Sequence, residues 1–460
     1  MNAKVAVDKL NQAAPQTVPE NGAGGGWDEF LSSDELVPVH IEAAERMQES
    51  ILAEMETLFR ENRWEDALSL FYPIEEKAPE IVELGVDVSV REKNAFALGH
   101  LQRFDEAIVE LQICVNRFPD DFYIHNSLAY TAYNSLYAAK NREIMLSGKA
   151  RQQRIALAEK HFRAARTIRP DSVTNFYREG MLRKEFQRKP AAALPLFLKA
   201  VENWDNLSEK DRERRHQERK NFIKALYQGA SAALETRRAQ LSLRLVKRCL
   251  AEDEASGHVA REFKFFALGK IHYHLNQFEA ARDALRFAAR CDAERPVDFV
   301  HELLARCYLA LDKPEKALER IARVPEKRRR PYVRWTESDV LCRMGNFEAA
   351  INVLKKSIER DNRSRHKSLL RLAKIEYRLG RFPQTTAWAR RAGTFFERQW
   401  GRELPEALFW TALGEFKSGN NAGALETAHR LREIDPHHPK LGLLLERLQT
   451  VKKDGIRRVV

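Results

Sequence analysis

The chain has 460 residues, of which 44% are hydrophobic, and its formal net charge at pH 7 is +12. A hydrophobic fraction of that size is ordinary for a globular protein and excludes a chain that is disordered throughout. No apolar run approaches the roughly 20 residues that span a bilayer, so we expect no membrane insertion.

The charge is divided unevenly along the chain. Residues 1–120 carry 10 Lys and Arg against 24 Asp and Glu, a net charge of −14, whereas the remaining residues carry 68 against 42, a net charge of +26. A basic body with an acidic N-terminal part predicts an anionic partner, or an acidic arm that folds back on the body. A helical surface of solvated Arg and Lys is the alternative explanation.

The first 50 residues divide into two segments. Residues 1–26, with two prolines and a run of three glycines, are interpreted as a flexible N-terminal arm, because this composition cannot repay the entropy of ordering. Residues 27–50 are predicted to form an acidic amphipathic segment and a lead-in helix. Within them, residues 27–39 place Trp27 and Phe30 among acidic side chains, so this segment either docks on the body or is an exposed partner motif.

From about His40 onwards, the apolar residues follow the spacing of amphipathic helices. A small residue recurs after each predicted turn, at intervals of 33 to 51 residues. These anchor positions are Ala67, Ala107, Ala158, Ala193, Ala239, Ala281, Ala317, Ala350, Thr385 and Ala424. A large residue often precedes the anchor by three positions, as Phe347 precedes Ala350, and a later proline, as at Pro119 and Pro170, is predicted to stop the second helix. Because a small side chain lets two helices cross closely, the pattern predicts helical hairpins that stack on one another.

These residues resemble the tetratricopeptide repeat family, whose 34-residue unit is a helical hairpin with small residues at two fixed positions and a proline near its end. With Ala281 in the small position of the second helix, Gly269 takes the small position of the first helix. The same first-helix position in the next four repeats is occupied by Ala305, Ser338, Ala373 and Ala412. The resemblance implies an all-α fold, a right-handed superhelical solenoid of stacked antiparallel helix hairpins, with about ten degenerate repeats.

The regularity of the pattern divides the helical region into four parts. They are residues 51–120 with N-terminal repeats, residues 121–256 with irregular helical repeats and insertions, residues 257–440 with C-terminal repeats, and residues 441–460 with a capping helix and a basic tail. Within the irregular part, the charged run 208–220 is predicted to extend the helix that reaches Leu234.

The sequence contains no recognisable catalytic constellation, and we expect no enzyme activity, no metal site and no cofactor. His272 and His274 cannot form a metal pair, because residues two apart on a helix do not face the same way. The five cysteines lie far apart, which is typical of buried small residues in a reducing compartment, so we expect a cytoplasmic protein.

In the resembled family, a fixed set of first-helix positions lines the inner groove of the superhelix. Carried over residue by residue, the resemblance implies a partner-binding surface formed by Phe263, Lys270, Tyr273, His274, Arg306, Tyr332, Trp335, Arg343, Lys374, Tyr377 and Arg378. The cations of such a surface can meet carboxylates or phosphates, and the rings can stack on side chains or bases. For any one ring, packing between adjacent hairpins is the alternative.

Three hypotheses for the function follow from this surface. The first is a non-enzymatic scaffold or adaptor that binds an acidic or extended segment of a protein partner in the basic, aromatic-lined groove. The second is an RNA- or single-stranded-DNA-binding helical-repeat protein, whose binding weakens steeply with salt. The third is self-regulation, in which residues 27–39 make an intramolecular contact with the groove until a partner displaces them.

Overall fold

The computed structural model describes residues 33–291 and 296–457, and their side chains over residues 40–291 and 296–450. Within those ranges the regular secondary structure is helical, without a strand. The chain forms two compact units, unit 1 (Met1–Arg238) and unit 2 (Ala239–Val460). This division falls inside the irregular segment 121–256, and the other segment boundaries stay predictions. The flexible arm 1–26 and residues 27–32 of the acidic segment lie outside the described residues.

Unit 1 is built from helical hairpins that pack in chain order. Its described helices are α1 (Ser33–Arg60), α2 (Trp64–Phe71), α3 (Ile74–Lys77), α4 (Pro79–Glu83), α5 (Val88–His100), α6 (Phe104–Arg117), α7 (Phe122–Asn141), α8 (Gly148–Ile168), α9 (Val173–Met181), α10 (Pro190–Asp205), α11 (Glu209–Arg214) and α12 (Arg219–Glu235). A π-helical turn, Leu182–Phe186, continues α9.

Unit 2 is more regular. Its described helices are α13 (Ala239–Glu252), α14 (Arg261–His274), α15 (Phe278–Ala288), α16 (Asp298–Ala310), α17 (Pro314–Ala322), α18 (Pro331–Arg343), α19 (Phe347–Arg360), α20 (Arg365–Arg378), α21 (Phe382–Trp400), α22 (Pro405–Lys417), α23 (Asn421–Ile434) and α24 (Leu441–Arg457). The even-numbered helices α14 to α22 are the first helices of five hairpins. Each second helix packs both on its own first helix and on the next one, and α24 packs on α23 at the end of the stack.

The small anchor residues lie where the helices of one hairpin cross. In unit 2, Ala281, Ala317 and Ala350 are fully buried on the second helices. The first-helix position is equally tight, because a Cβ added at Gly269 would lie 2.5 Å from Leu285 Cγ. A larger side chain at either position would therefore force the two helices apart, which confirms the packing reason for the repeat pattern.

The turn inside each hairpin repeats as well. A residue with positive φ stands two positions before the second helix, as at Gly345 (φ 80°), Gly380 (φ 72°) and Gly419 (φ 85°). Asn276 takes the same conformation before α15. This left-handed residue ends the first helix, and the aromatic predicted three positions before the anchor then begins the second helix, as Phe347 begins α19.

Two local predictions in the irregular region are wrong. The buried small residue of α13 is Ser242 and not Ala239, which is only half-buried at the start of the helix. The run 208–220 is not one helix, because α11 ends at Arg214. Arg215 is buried at this break and pairs with Asp171 at 2.6 Å and with Glu218 at 3.0 Å.

Candidate functional site: the first-helix wall of unit 2

Two adjoining cavities, of about 480 and 260 Å³, lie along the first helices of unit 2. Their lining residues come from α14, α16, α18 and α20, because consecutive first helices lie side by side. We call this surface the first-helix wall; its residues are Tyr273, Glu302, Arg306, Leu309, Ala310, Tyr332, Trp335, Thr336, Asp339, Cys342, Arg343, Arg371, Lys374, Ile375 and Arg378. Seven of the eleven residues predicted to bind a partner lie in this set.

The aromatic side chains of the wall are held in place by polar and cationic neighbours. The Arg306 guanidinium lies 4.7 Å from the centroid of Tyr273. Trp335 donates its indole N–H to Ser368 Oγ at 2.7 Å, and Arg371 lies 5.2 Å from its ring centroid. Since its polar edge is already bonded, Trp335 presents a fixed apolar surface to the cavity.

Several cations of the wall are neutralised by carboxylates of a neighbouring repeat. Arg343 pairs with Asp312 at 2.7 Å, and Lys374 pairs with Glu406 at 3.0 Å. The wall also contains residues that the sequence reasoning missed, of which Arg371 pairs with Asp339 at 3.2 Å. The wall is therefore a mosaic of ion pairs and rings, less basic than the list of cations alone predicts.

Arg306 and Arg378 differ from these cations because they form no ion pair within the described residues. Both are exposed, and neither has a carboxylate within ion-pairing distance among the residues that the structure describes. His274 lies close to Arg306 and Lys270, and burial together with these two charges lowers the pKa of His274. The charges that act on His274 are therefore positive, while Arg306 also acts on the carboxyl group of Glu302, which lines the same cavity.

The other four predicted residues do not line either cavity. Lys270 and His274 are on α14 next to Tyr273. Phe263 stacks on Phe299, with ring centroids 5.8 Å apart. Tyr377 lies 5.5 Å from Phe382 and 5.5 Å from Trp410, measured between ring centroids. Phe263 and Tyr377 thus pack against rings of neighbouring helices.

The described residues contain no group of three or more His, Cys, Asp and Glu side chains that could hold a metal ion. Burial raises the pKa of Cys114 and of Cys307 to about 12, so both are thiols at neutral pH and poor nucleophiles. In this part of the chain, no helix is both long and apolar enough to cross a membrane.

Comparison with known proteins gives a match of residues 336–394 to the tetratricopeptide repeat model. The sequence matches no curated protein at a significant level. Among solved structures, the apo form of RapI is 9% identical, covers 80% of this chain and 99% of its own, and has a TM-score of 0.52. Naa15/Naa10 bound to HypK-THB is 13% identical over 99% of this chain and 74% of its own, with a TM-score of 0.47. PilF of Pseudomonas aeruginosa is 16% identical over 53% of this chain and 99% of its own, with a TM-score of 0.38.

At these identities, the likeness to RapI is one of fold. The matched segment begins inside α18 and ends inside α21, so it contains four first-helix wall residues of α20. The chain is a protein of helical hairpin repeats, and its residues 336–394 match the tetratricopeptide repeat model.

Proposed function

We propose that the protein is a non-catalytic scaffold, and that the first-helix wall of unit 2 binds an extended acidic segment of a protein partner. Stacked hairpins present elongated surfaces that suit extended ligands. The proposal depends on two exposed arginines of the wall, Arg306 and Arg378, which have no carboxylate partner among the described residues. The neighbouring cations Arg343, Arg371 and Lys374 each form an ion pair within the protein. Those two guanidinium groups are available for carboxylates from outside.

The positions of the two arginines set the spacing of the acidic residues. Arg306 is on α16 and Arg378 is on α20, two first helices further along the stack. Packed helices lie about 8–10 Å apart, so the two guanidinium groups are separated by roughly 16–20 Å. An extended chain rises about 3.3–3.6 Å per residue, and we therefore expect acidic side chains about five or six residues apart. Tyr332 and Trp335, on α18 between them, provide an apolar platform for the intervening residues.

The alternative ligand, a single-stranded nucleic acid, fits the wall less well. Glu302 and Asp339 line the same cavity as Arg306. Their carboxylates lie where a continuous run of phosphates would pass, and like charges in that position are unfavourable. Binding of a labelled oligouridine with an affinity equal to that of acidic peptides would reverse this preference.

The test is selection of a displayed 12-residue peptide library on the full-length protein, followed by fluorescence anisotropy of the enriched peptides. We expect the enriched peptides to carry two Asp or Glu residues about five or six positions apart. The double variant R306Q/R378Q should bind them roughly 5- to 30-fold more weakly, because each partly exposed ion pair contributes about 0.5–1 kcal/mol.

The matched control is R398Q/R432Q, which removes the same charge from exposed arginines on the second helices α21 and α23. Its affinity should stay within about twofold of the wild-type value, since distant surface charges are screened. Enriched peptides without acidic residues, or equal losses in the two double variants, would sink the proposal.

A further inference from the structure

In unit 1, two hydrogen bonds fix the register between α9, with its π-helical continuation, and α12. Asn221 of α12 donates to Thr174 Oγ1 of α9 at 2.8 Å. Further along, Lys184 donates to Gln228 Oε1 of α12 at 2.7 Å. The two helices therefore run side by side with a nearly constant offset, which places Lys224 of α12 alongside Arg178 of α9.

Arg178 sits among tyrosines. Its guanidinium lies 3.5 Å from the ring centroid of Tyr130 of α7, which is a close stacking contact. Tyr133 and Tyr177 act on the same guanidinium electrostatically. Tyr130 and Arg178 are thus in contact, and the register of the helices puts Lys224 at the neighbouring position of α12. We call these three half-buried residues the Tyr130–Arg178–Lys224 row.

The row lacks the counter-charges found elsewhere in unit 1. Arg91 pairs with Asp87, Glu75 and Glu110, and Arg215 pairs with Asp171 and Glu218. Arg178 and Lys224 have no carboxylate within ion-pairing distance among the described residues. The buried arginines Arg91 and Arg215 are therefore neutralised by carboxylates, whereas Arg178 and Lys224 are not.

The directions of the pKa shifts of Arg178 and Lys224 agree with the lack of a nearby carboxylate. Burial lowers the pKa of Arg178, and burial together with Lys220 lowers the pKa of Lys224. Burial also raises the pKa of Tyr133 and of Tyr177, so both hydroxyls stay protonated; Tyr133 donates to Tyr137, and Tyr177 can donate a hydrogen bond. Two desolvated cations beside hydroxyl donors, without an internal anion, form an environment that favours an incoming negative charge.

We propose that the Tyr130–Arg178–Lys224 row is a second binding site, which takes an oxyanion, either a carboxylate or a phosphate group of a ligand. Tyr130 covers one face of the Arg178 guanidinium and also takes up part of its hydrogen-bonding capacity, and the N–H groups that remain can bind an oxyanion. Lys224 supplies a second positive charge beside it. This site is in unit 1 and is independent of the first-helix wall of unit 2.

The experiment is isothermal titration of the full-length protein with inorganic phosphate and, separately, with succinate, at ionic strength held constant with sodium chloride. We expect saturable binding of at least one anion to the wild type. The variant R178Q should weaken that binding by about tenfold or more, since a hydrogen-bonded pair of opposite charges is lost. Binding of phosphate alone assigns the site to a phosphate-bearing ligand, and binding of succinate alone assigns it to a carboxylate.

The matched control is R151Q, which removes one exposed arginine from α8 of the same unit and should leave the anion affinity unchanged. K224Q should show a smaller loss than R178Q. In buffer with chloride as its sole anion, R178Q should melt at the wild-type temperature or above it, because an uncompensated cation has been removed. The proposal is overturned if the wild type binds neither anion saturably, if R151Q loses as much affinity as R178Q and K224Q, or if R178Q melts below the wild type while its anion affinity is unchanged.

Discussion

Two buried histidines make the stability of unit 1 depend on pH. The Nδ1 atoms of His125 and His161 lie 2.8 Å apart, and His125 Nε2 lies 2.7 Å from the carbonyl oxygen of Pro119. Because a carbonyl can only accept, His125 carries its proton on Nε2 and its Nδ1 accepts from His161. Burial, with a contribution from His125, lowers the pKa of His161 to about 4.

The sign of the pH effect follows from that shift. His161 is neutral in the folded state, whereas an unfolded histidine takes up a proton near pH 6.5. The contribution of His161 to the free energy of unfolding should therefore be largest above pH 6.5 and fall by up to about 3 kcal/mol between pH 6.5 and 4. Burial raises the pKa of Glu92 to about 7, and that shift acts with the opposite sign, so the His161 contribution is measured as the difference between wild type and H161Q. Urea unfolding of both at pH 7.5, 5.5 and 4.5 should give a difference that shrinks as the pH falls, while H216Q, at an exposed histidine, should follow the wild type.

At the candidate site, the sequence predicted several surface residues but not the ion pairs between them and neighbouring repeats. The resemblance to the tetratricopeptide repeat family implied that Arg306, Tyr332, Trp335 and Arg378 share one surface, and all four line the adjoining cavities. It was not enough to find the carboxylates that neutralise other cations, because an ion pair is a property of two repeats. A signal was nevertheless present: Arg343 and Asp312 are 31 residues apart, and Arg371 and Asp339 are 32 apart, each about one repeat length.

The hairpin is the element on which the stack depends. At Gly269, an added Cβ would meet Leu285 Cγ at 2.5 Å and the Ala281 carbonyl oxygen at 3.2 Å. The first helix α14 cannot accommodate that methyl group unless it moves away from α15. At Gly393, inside α21, an added Cβ would meet only the Ala407 Cβ, at an ordinary 3.6 Å.

These two helical glycines predict opposite effects of the same substitution. G393A should raise the free energy of unfolding by up to about 1 kcal/mol, because alanine has the higher helix propensity. G269A should gain the same propensity but lose about 1–3 kcal/mol to overpacking, for a net loss of stability. Thermal denaturation of both variants checks the pair. Equal stabilisation by the two substitutions would contradict the close crossing of α14 and α15.

Helix boundaries could be predicted where a local residue, such as a proline, stops the helix. They could not be predicted at a position where the side chain contacts a residue far away in the sequence. Pro119 and Pro170 follow the ends of α6 and α8 by two residues, as the repeat pattern predicts. At the break after α11, Arg215 instead contacts Asp171, which is 44 residues away in the sequence. The all-α fold could therefore be predicted from spacing, whereas the detail of the irregular region could not.

At the scale of the whole molecule, we propose one binding surface in each of the two units. The first-helix wall of unit 2 offers Arg306 and Arg378 with an aromatic platform between them. The row in unit 1 offers Arg178 and Lys224 among tyrosines. Each of these four cations lacks a carboxylate within ion-pairing distance among the described residues, whereas other cations of the first-helix wall are paired. We infer that the protein recognises negative charge at defined points and not through its overall charge.

The most direct test of that claim is a charge exchange across the first-helix wall. Anisotropy would be measured for an acidic peptide selected on the wild type and for the same peptide with its two acidic residues changed to lysine, against wild type and R306E/R378E. We expect the wild type to bind the acidic peptide, and R306E/R378E to bind the lysine peptide, with the higher affinity, each by about tenfold or more. An unchanged preference for the acidic peptide in R306E/R378E would contradict this expectation.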